Sequence, residues 1–349
     1  MNSRALRIVI PGGSGQVGRR LAQFFQEHGH HVTVLTRGPY TAPWQTVHWD
    51  GKTLGPWVET LEGADVCIHL SGRSVNCRST PRNRRSLYDS RIGPTLLLHQ
   101  AIAGLANPPQ LWMNASTATI YRHATPGTQF DRDMDEATGE IGGNEMISAH
   151  RQLPGSLARL LPRSLLYRRA PERWSWTVQL VKDWEAALFS TPTPCTRKVA
   201  LRTSLVFSPT PGNIFAVLSR LVRVGLGGTQ GSGRQYVSWM HETDFARAVE
   251  FLIDHEEIVG PVNLAAPNPL PNREFMAALR EAWDMPNGIW APAPMIEIGS
   301  FFLRTESELV LKSRRVVPGR LLDAGFQFEF PTLPEAAADL VRQWRQRDD

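Results

Sequence analysis

The glycines in "PGGSGQVG" have the spacing to bring backbone against a diphosphate. Gly13, Gly15 and Gly18 make G-x-G-x-x-G, while Gly12, Gly15 and Gly18 make G-x-x-G-x-x-G. Either register allows a turn with no Cβ in the way, and a helix starting in that turn aims its free N–H groups at phosphate oxygens. The cradle is therefore expected to run through Gly12, Gly13, Ser14, Gly15, Gln16, Val17 and Gly18. A second chemical signal follows in "VTVLTRGP". NAD-selective folds place an acidic residue about 20 residues past the glycines, to accept the ribose 2′-hydroxyl. No Asp or Glu occurs between Glu27 and Asp50, and the run ends in Thr36 and Arg37. A carboxylate there would repel a 2′-phosphate, whereas a guanidinium meets it with charge-assisted hydrogen bonds. The pattern favours NADP(H) as cofactor. On the substrate side, "GLGGTQGSGRQYVSWMHETD" offers Arg234 for an anionic group, Trp239 for stacking and His241 as a group that titrates near neutral pH. His241 also suits a helix entry.

These residues need elements to hold them. Residues 6–10 are a short β-branched run suited to a buried parallel strand, and Val17, Leu21, Phe24 and Phe25 form one helical stripe that Gly29 closes. Strand-like and helix-like segments then alternate: "ADVCIHLSG", a helix over about 84–106, "QLWMNASTATIY", a helix over 176–188, and "KVALRTSLVFSP". This predicts an α/β, Rossmann-like, doubly wound parallel sheet. Ligands in such sheets lie outside the carboxyl ends of the strands. Leu70, Ser71 and Gly72, the stretch from Ser116 through Thr117 to Tyr121, and Val206 should then line one crevice with the glycine turn. Residues 1–210 read as the nucleotide-binding domain. Residues 211–349 should complete the sheet and build a smaller C-terminal substrate lobe, with helical patterns at about 294–311 and 334–346. Residues 137–173 read as a mobile insertion, dispensable for cofactor binding.

Composition bounds the function. No apolar run approaches the roughly 18 residues of a membrane span, and "MNSRALRIVIPGG" shows no signal-peptide core, so a cytoplasmic address and no membrane partner are expected. Three cysteines without a C-x-x-C give neither a disulfide framework nor a zinc site. Metal is not expected. The net charge of +5 is concentrated in "CRSTPRNRRSLYDSR" and "YRRAPER", which read as solvated faces ahead of nucleic-acid sites.

"IPGGSGQVG", "VTVLTRGP", "WDG", "GADVCIHLSG", "DSRIGPTLLL", "KDWEAAL", "RTSLVFSP", the loop over 225–244, "GPVNLAAPNP" and "RLLDAGFQFEFPTL" occur in the order seen in the YfcH-like epimerase family. The chain resembles that atypical, extended branch of the short-chain dehydrogenase/reductase superfamily over most of its length, including the family-specific C-terminal segment at about 292–345. The resemblance implies NADP contacts from Thr36, Arg37, Leu70, Ser71, Arg91 and Val206. It also implies an NADP(H)-binding oxidoreductase or epimerase acting on an unidentified small molecule of a nucleotide-sugar-like kind. Pro11 departs from the pattern by removing an N–H from the first turn.

The wider superfamily uses a Tyr-x-x-x-Lys pair, in which the lysine lowers the phenol pKa from about 10 towards neutrality. None of Tyr40, Tyr88, Tyr121, Tyr167 and Tyr236 has a lysine four residues on. Lys182 is left either for the ribose or for the outer face of an amphipathic helix. Tyr121, Ser116 or Thr117 could replace the missing phenol, or could satisfy a buried loop. The alternative to an enzyme is a non-catalytic NADP(H)-binding redox sensor.

Overall fold

A computed structural model describes residues 4–143, 146–148, 167–169, 172–296 and 311–348. Its strands are β1 (Arg7–Pro11), β2 (His31–Thr36), β3 (Gln45–His48), β4 (Val66–His69), β5 (Leu111–Thr117), β6 (Met146–Ser148), β7 (Tyr167–Arg169), β8 (Arg197–Thr203), β9 (Leu205–Phe207), β10 (Tyr236–Val237), β11 (Trp239–His241), β12 (Gly260–Leu264) and β13 (Leu270–Pro271). The helices used below are α1 (Gln16–Glu27), α2 (Pro81–Ala103), α3 (Glu172–Phe189), α4 (Ile214–Arg223), α5 (Glu242–Asp254), α6 (Asn272–Ala282), α7 (Gly319–Asp323) and α8 (Leu333–Asp348).

Seven strands form one parallel sheet in the order β12-β8-β5-β4-β1-β2-β3. The continuous apolar runs are explained by burial on both faces. Ile8, Ile10, Val34, Ile68 and Met113 pack with α1 and α5 on one side, whereas Val9, Leu35, Cys67 and Trp112 pack with α2 and α3 on the other. The period of two along each strand divides these sets. α2 starts at Pro81, earlier than expected, because Thr80 caps it by accepting the Asn83 N–H and proline suits the first turn.

A second core joins Phe207, Phe215, Trp239, Phe275, Leu340 and Trp344 from β9, α4, β11, α6 and α8. α8 coincides with the helix expected at 334–346, whereas most of the other expected helix, at 294–311, lies outside the described residues. Most of the 137–173 segment does too, while its first residues are bonded to the neighbouring chain. The Arg122 N–H donates to the Glu140 carbonyl at 2.8 Å, the Gly142 N–H to Ile120 at 2.8 Å, and Ile141 bridges Tyr121. Residues 139–143 are therefore stitched to the chain just beyond β5. Among the described residues, no helix is long and apolar enough to cross a membrane and no group of His, Cys, Asp or Glu is arranged for a metal ion.

Candidate functional site

The carboxyl ends of β1, β2, β4 and β5 lie along one edge of the parallel sheet, where a ligand crevice is expected in such folds. Its floor is the glycine turn. The Gly12 N–H donates to Leu35 and the Leu70 N–H to Pro11, at 2.9 and 2.8 Å, which ties the turn to β2 and to the end of β4. Pro11 costs the turn little, since it remains paired with Leu35 as the last residue of β1. The glycines have two distinct duties. Gly12 has a φ of +79° and a Cβ there would lie 2.6–2.7 Å from Ser71, while a Cβ on Gly18 would lie 2.5 Å from the Gly13 Cα. Those two serve backbone packing. A Cβ on Gly15 meets nothing closer than the Gly12 carbonyl at 3.8 Å, and Gly15 begins α1 with no side-chain cap. Its open face is the place where a ligand can approach backbone N–H groups. Against Gly12, the buried Ser71 hydroxyl has no hydrogen-bond partner among the described residues, an orphan that a bound polar group would satisfy.

The rest of the rim is braced. Thr36 donates through its hydroxyl to Ser14 at 3.3 Å, and Arg37 follows it fully on the surface. The Gln16 amide donates to the Pro211 carbonyl at 3.0 Å, drawing the start of α1 to the loop after β9, which holds Val206. Arg91 donates to the carbonyls of Leu87 and Arg73 at 3.0 Å, lies 5.2 Å from the Trp184 ring and abuts Gly72. Burial lowers its pKa to about 10, which leaves it charged. Arg91 thus anchors the loop after β4. Elsewhere in the arginine block, Arg84 pairs with Glu172 over Trp176 and Arg85 pairs with Asp89.

The expected catalytic hydroxyls are placed otherwise than anticipated. Tyr121 is completely buried, donates to Asn263 Oδ1 at 2.9 Å and accepts from Arg202 Nη1 at 2.9 Å. Burial raises its pKa, against the pull of Arg202. Ser116 donates to Glu185 Oε1 at 2.6 Å, and Glu185 holds Arg202 through two hydrogen bonds of 2.8 and 2.7 Å. Both hydroxyls belong to this interior network, so the proton-donor role expected of Tyr121 is corrected. Thr117 is half-buried and accepts the Thr119 N–H at 3.2 Å, closing the turn after β5. Tyr121→Phe should cost about 1–3 kcal/mol, because Asn263 and Arg202 each lose a buried partner. Urea unfolding measures this, and a loss under about 0.5 kcal/mol would contradict the placement.

Three further expectations are corrected by burial or exposure. Lys182 lies on the outer face of α3, whose inner face carries Val178, Val181 and Glu185. One residue of helical phase separates it from Val181, which belongs to the same buried cluster as Tyr121. Trp239 is wholly inside the second core, stacked on Phe207 with ring centroids 6.1 Å apart, and cannot stack on a ligand. His241 is also fully buried. Its Nδ1 accepts the Thr243 N–H at 3.0 Å as the cap of α5, so the proton sits on Nε2, 3.2 Å from Asp339 of α8. Burial lowers its pKa to about 4, against the opposing carboxylates of Asp339 and Asp244. It is a structural pin for α8. Arg234 remains exposed in its loop.

Lys312 is a buried cation that the sequence does not mark. The stretch 312–317 threads between β10 and the chain beyond β5, with the Met134 N–H donating to Arg315 and the Ala124 N–H to Ser313. This carries Lys312, 2% exposed, to within 3.3 Å of the Thr119 carbonyl in the turn after β5. No local pattern announces such a lysine. Arg202 did carry a signal, as the one charge in the run 199–207, whereas Glu185 follows Lys182 and Asp183 on an ordinary amphipathic helix.

Residues 8–146 match the NAD dependent epimerase/dehydratase family, and residues 291–340 match a domain of unknown function, DUF1731. An epimerase family protein of Staphylococcus epidermidis is 26% identical over 336 residues, 96% of this chain and 99% of that protein. The epimerase family protein SDR39U1 of Bos taurus is 28% identical over 340 residues, 96% of this chain and 100% of its own. Among solved structures, human SDR39U1 (isoform 2) with NADPH superposes with a TM-score of 0.77 at 24% identity, covering 97% of this chain and 99% of the other. A nucleoside-diphosphate sugar epimerase from Corynebacterium glutamicum gives 0.68 at 23% identity, over 99% of this chain and 62% of that one.

Proposed function

We propose that this chain binds NADP(H) as an epimerase- or reductase-like protein, a reading supported by the match of residues 8–146 to the NAD dependent epimerase/dehydratase family and of residues 291–340 to DUF1731. One observation carries the cofactor: Gly15 opens an uncapped helix start to the crevice, with the orphaned Ser71 hydroxyl against Gly12, and with Arg37 and no carboxylate at the end of β2. The turn and Ser71 would hold the diphosphate, Arg37 the 2′-phosphate, and Leu70 and Val206 the flanking walls. NADPH supplies a hydride when bound. The NADPH in the human relative's structure agrees with this assignment.

The substrate is a small molecule, nucleotide-sugar-like if it follows the named relatives, seated on the side of the crevice below Arg234. Thr117 is the expected hydroxyl left half-exposed there. The engaged arginines of α2 argue against nucleic acid, and the unpaired Cys67, Cys77 and Cys195 suit the cytoplasm. A specific observation favours a second reading. With Tyr121 and Ser116 locked inside and Lys182 turned outward, the protein would bind NADP(H) without turnover and act as a redox sensor.

NADPH should bind at least about tenfold more tightly than NADH, or roughly 1.4 kcal/mol. Arg37→Ala should erase most of that difference. Titration calorimetry at moderate salt checks both, and equal affinities in the unmodified protein would overturn the cofactor assignment. A substrate screen following NADPH absorbance then separates enzyme from sensor.

A further inference from the structure

α1 presents two arginines in succession, Arg19 and Arg20, to opposite surroundings. Gln26 donates to the Pro43 carbonyl at 3.1 Å, so that side of the helix faces the 37–44 segment. Arg19 lies seven residues before Gln26, on the same side and at the end of the helix next to Arg37. The neighbouring Tyr40 feels it: burial raises the Tyr40 pKa and the Arg19 charge opposes the rise. Arg20 turns away, towards His241 and Glu242, both of which feel its charge. Arg19 and Arg37 are exposed, and neither makes an ion pair among the described residues.

We propose that Arg19 and Arg37 form a two-guanidinium clamp for the 2′-phosphate of NADP(H), with Arg19 a second specificity-determining residue. The clamp rests on the NADP(H) reading above and adds to it a residue from the helix. Thr36, bonded to Ser14, holds the strand end against the glycine turn, so the two arginines approach the same gap from β2 and from α1. A phosphate dianion offers acceptor oxygens on more than one side. One guanidinium can engage two of them and a second relieves the charge that remains. NADH offers nothing there, and the two cations are left facing each other across water.

The test is calorimetry of the full chain with NADPH, NADH, 2′,5′-ADP and 5′-ADP at one ionic strength. Arg19→Ala should weaken NADPH and 2′,5′-ADP by about fivefold or more while leaving NADH and 5′-ADP within about twofold. Arg19→Lys should recover part of the loss, and Arg20→Gln, which removes the same charge from the other side of the helix, should change neither. Thermal melts of the ligand-free variants should match the parent, since Arg19 is on the surface. The clamp is overturned if Arg19→Ala keeps parental NADPH affinity while Arg37→Ala loses it. It is equally overturned if Arg19→Ala weakens NADH as much as NADPH, since the arginine would then serve the diphosphate. An unmodified protein that prefers NADH or binds neither sinks the cofactor reading and the clamp together.

Discussion

Arg202→Leu should lower stability by about 3–5 kcal/mol, enough to leave a domain of ordinary stability partly unfolded at 37 °C. Arg202 is buried in β8, and its guanidinium makes a two-point pair with Glu185 while also donating to Tyr121. Burial disfavours its charge, but the Glu185 carboxylate outweighs this and the pKa is raised. Removing the cation leaves the Glu185 carboxylate in the interior with Ser116 as its one remaining partner among the described residues. That uncompensated carboxylate is the main cost. Converting Glu185 to Gln in the Arg202→Leu background should therefore recover more than half of the loss. Urea unfolding of the single and double variants decides the point. If the second substitution adds to the damage, the pair contributes through packing and the electrostatic account is wrong.

Gly18→Ala should reduce NADPH affinity by about a hundredfold, or roughly 2.7 kcal/mol, and cost about 1–3 kcal/mol of stability. The added methyl would fall 2.5–2.7 Å from three backbone atoms of Gly13. α1 cannot retreat, because Leu21, Ala22, Phe24 and Phe25 hold it in the core. The turn must move. Gly15→Ala provides the contrast: its methyl has room in the protein itself, so the melt should be unchanged while NADPH binding falls. Calorimetric titration beside thermal melts separates the two behaviours. Normal NADPH binding by Gly15→Ala would mean that the diphosphate does not cross the open face of that turn.

The glycine turn, the order of β1, α1 and β2, and the exposed Arg37 after a strand lacking acid were legible because each depends on residues within one or two turns of chain. Steric freedom of glycine, a helical stripe and a missing carboxylate are local properties. The side-chain roles at β5 were not legible in the same way. Tyr121 has the residue type of a proton donor and the expected place at a strand end, yet its hydroxyl bonds to groups 142 and 81 residues away. Lys182 lies one residue away from the buried face of its helix, a phase difference that a helical pattern with tryptophans on both sides leaves unresolved.

The sequence by itself determined the doubly wound sheet, the glycine turn after β1 and the exposed arginine, with no acid near it, that follows β2. Only the tertiary structure decided that Trp239 and His241 are core, that Tyr121 and Ser116 face inward, and that Lys312, 193 residues from Thr119, lies against its carbonyl. The reason is that backbone propensity and hydrophobic period act between near neighbours. Desolvation and ion pairing depend on which distant segments the sheet order brings together.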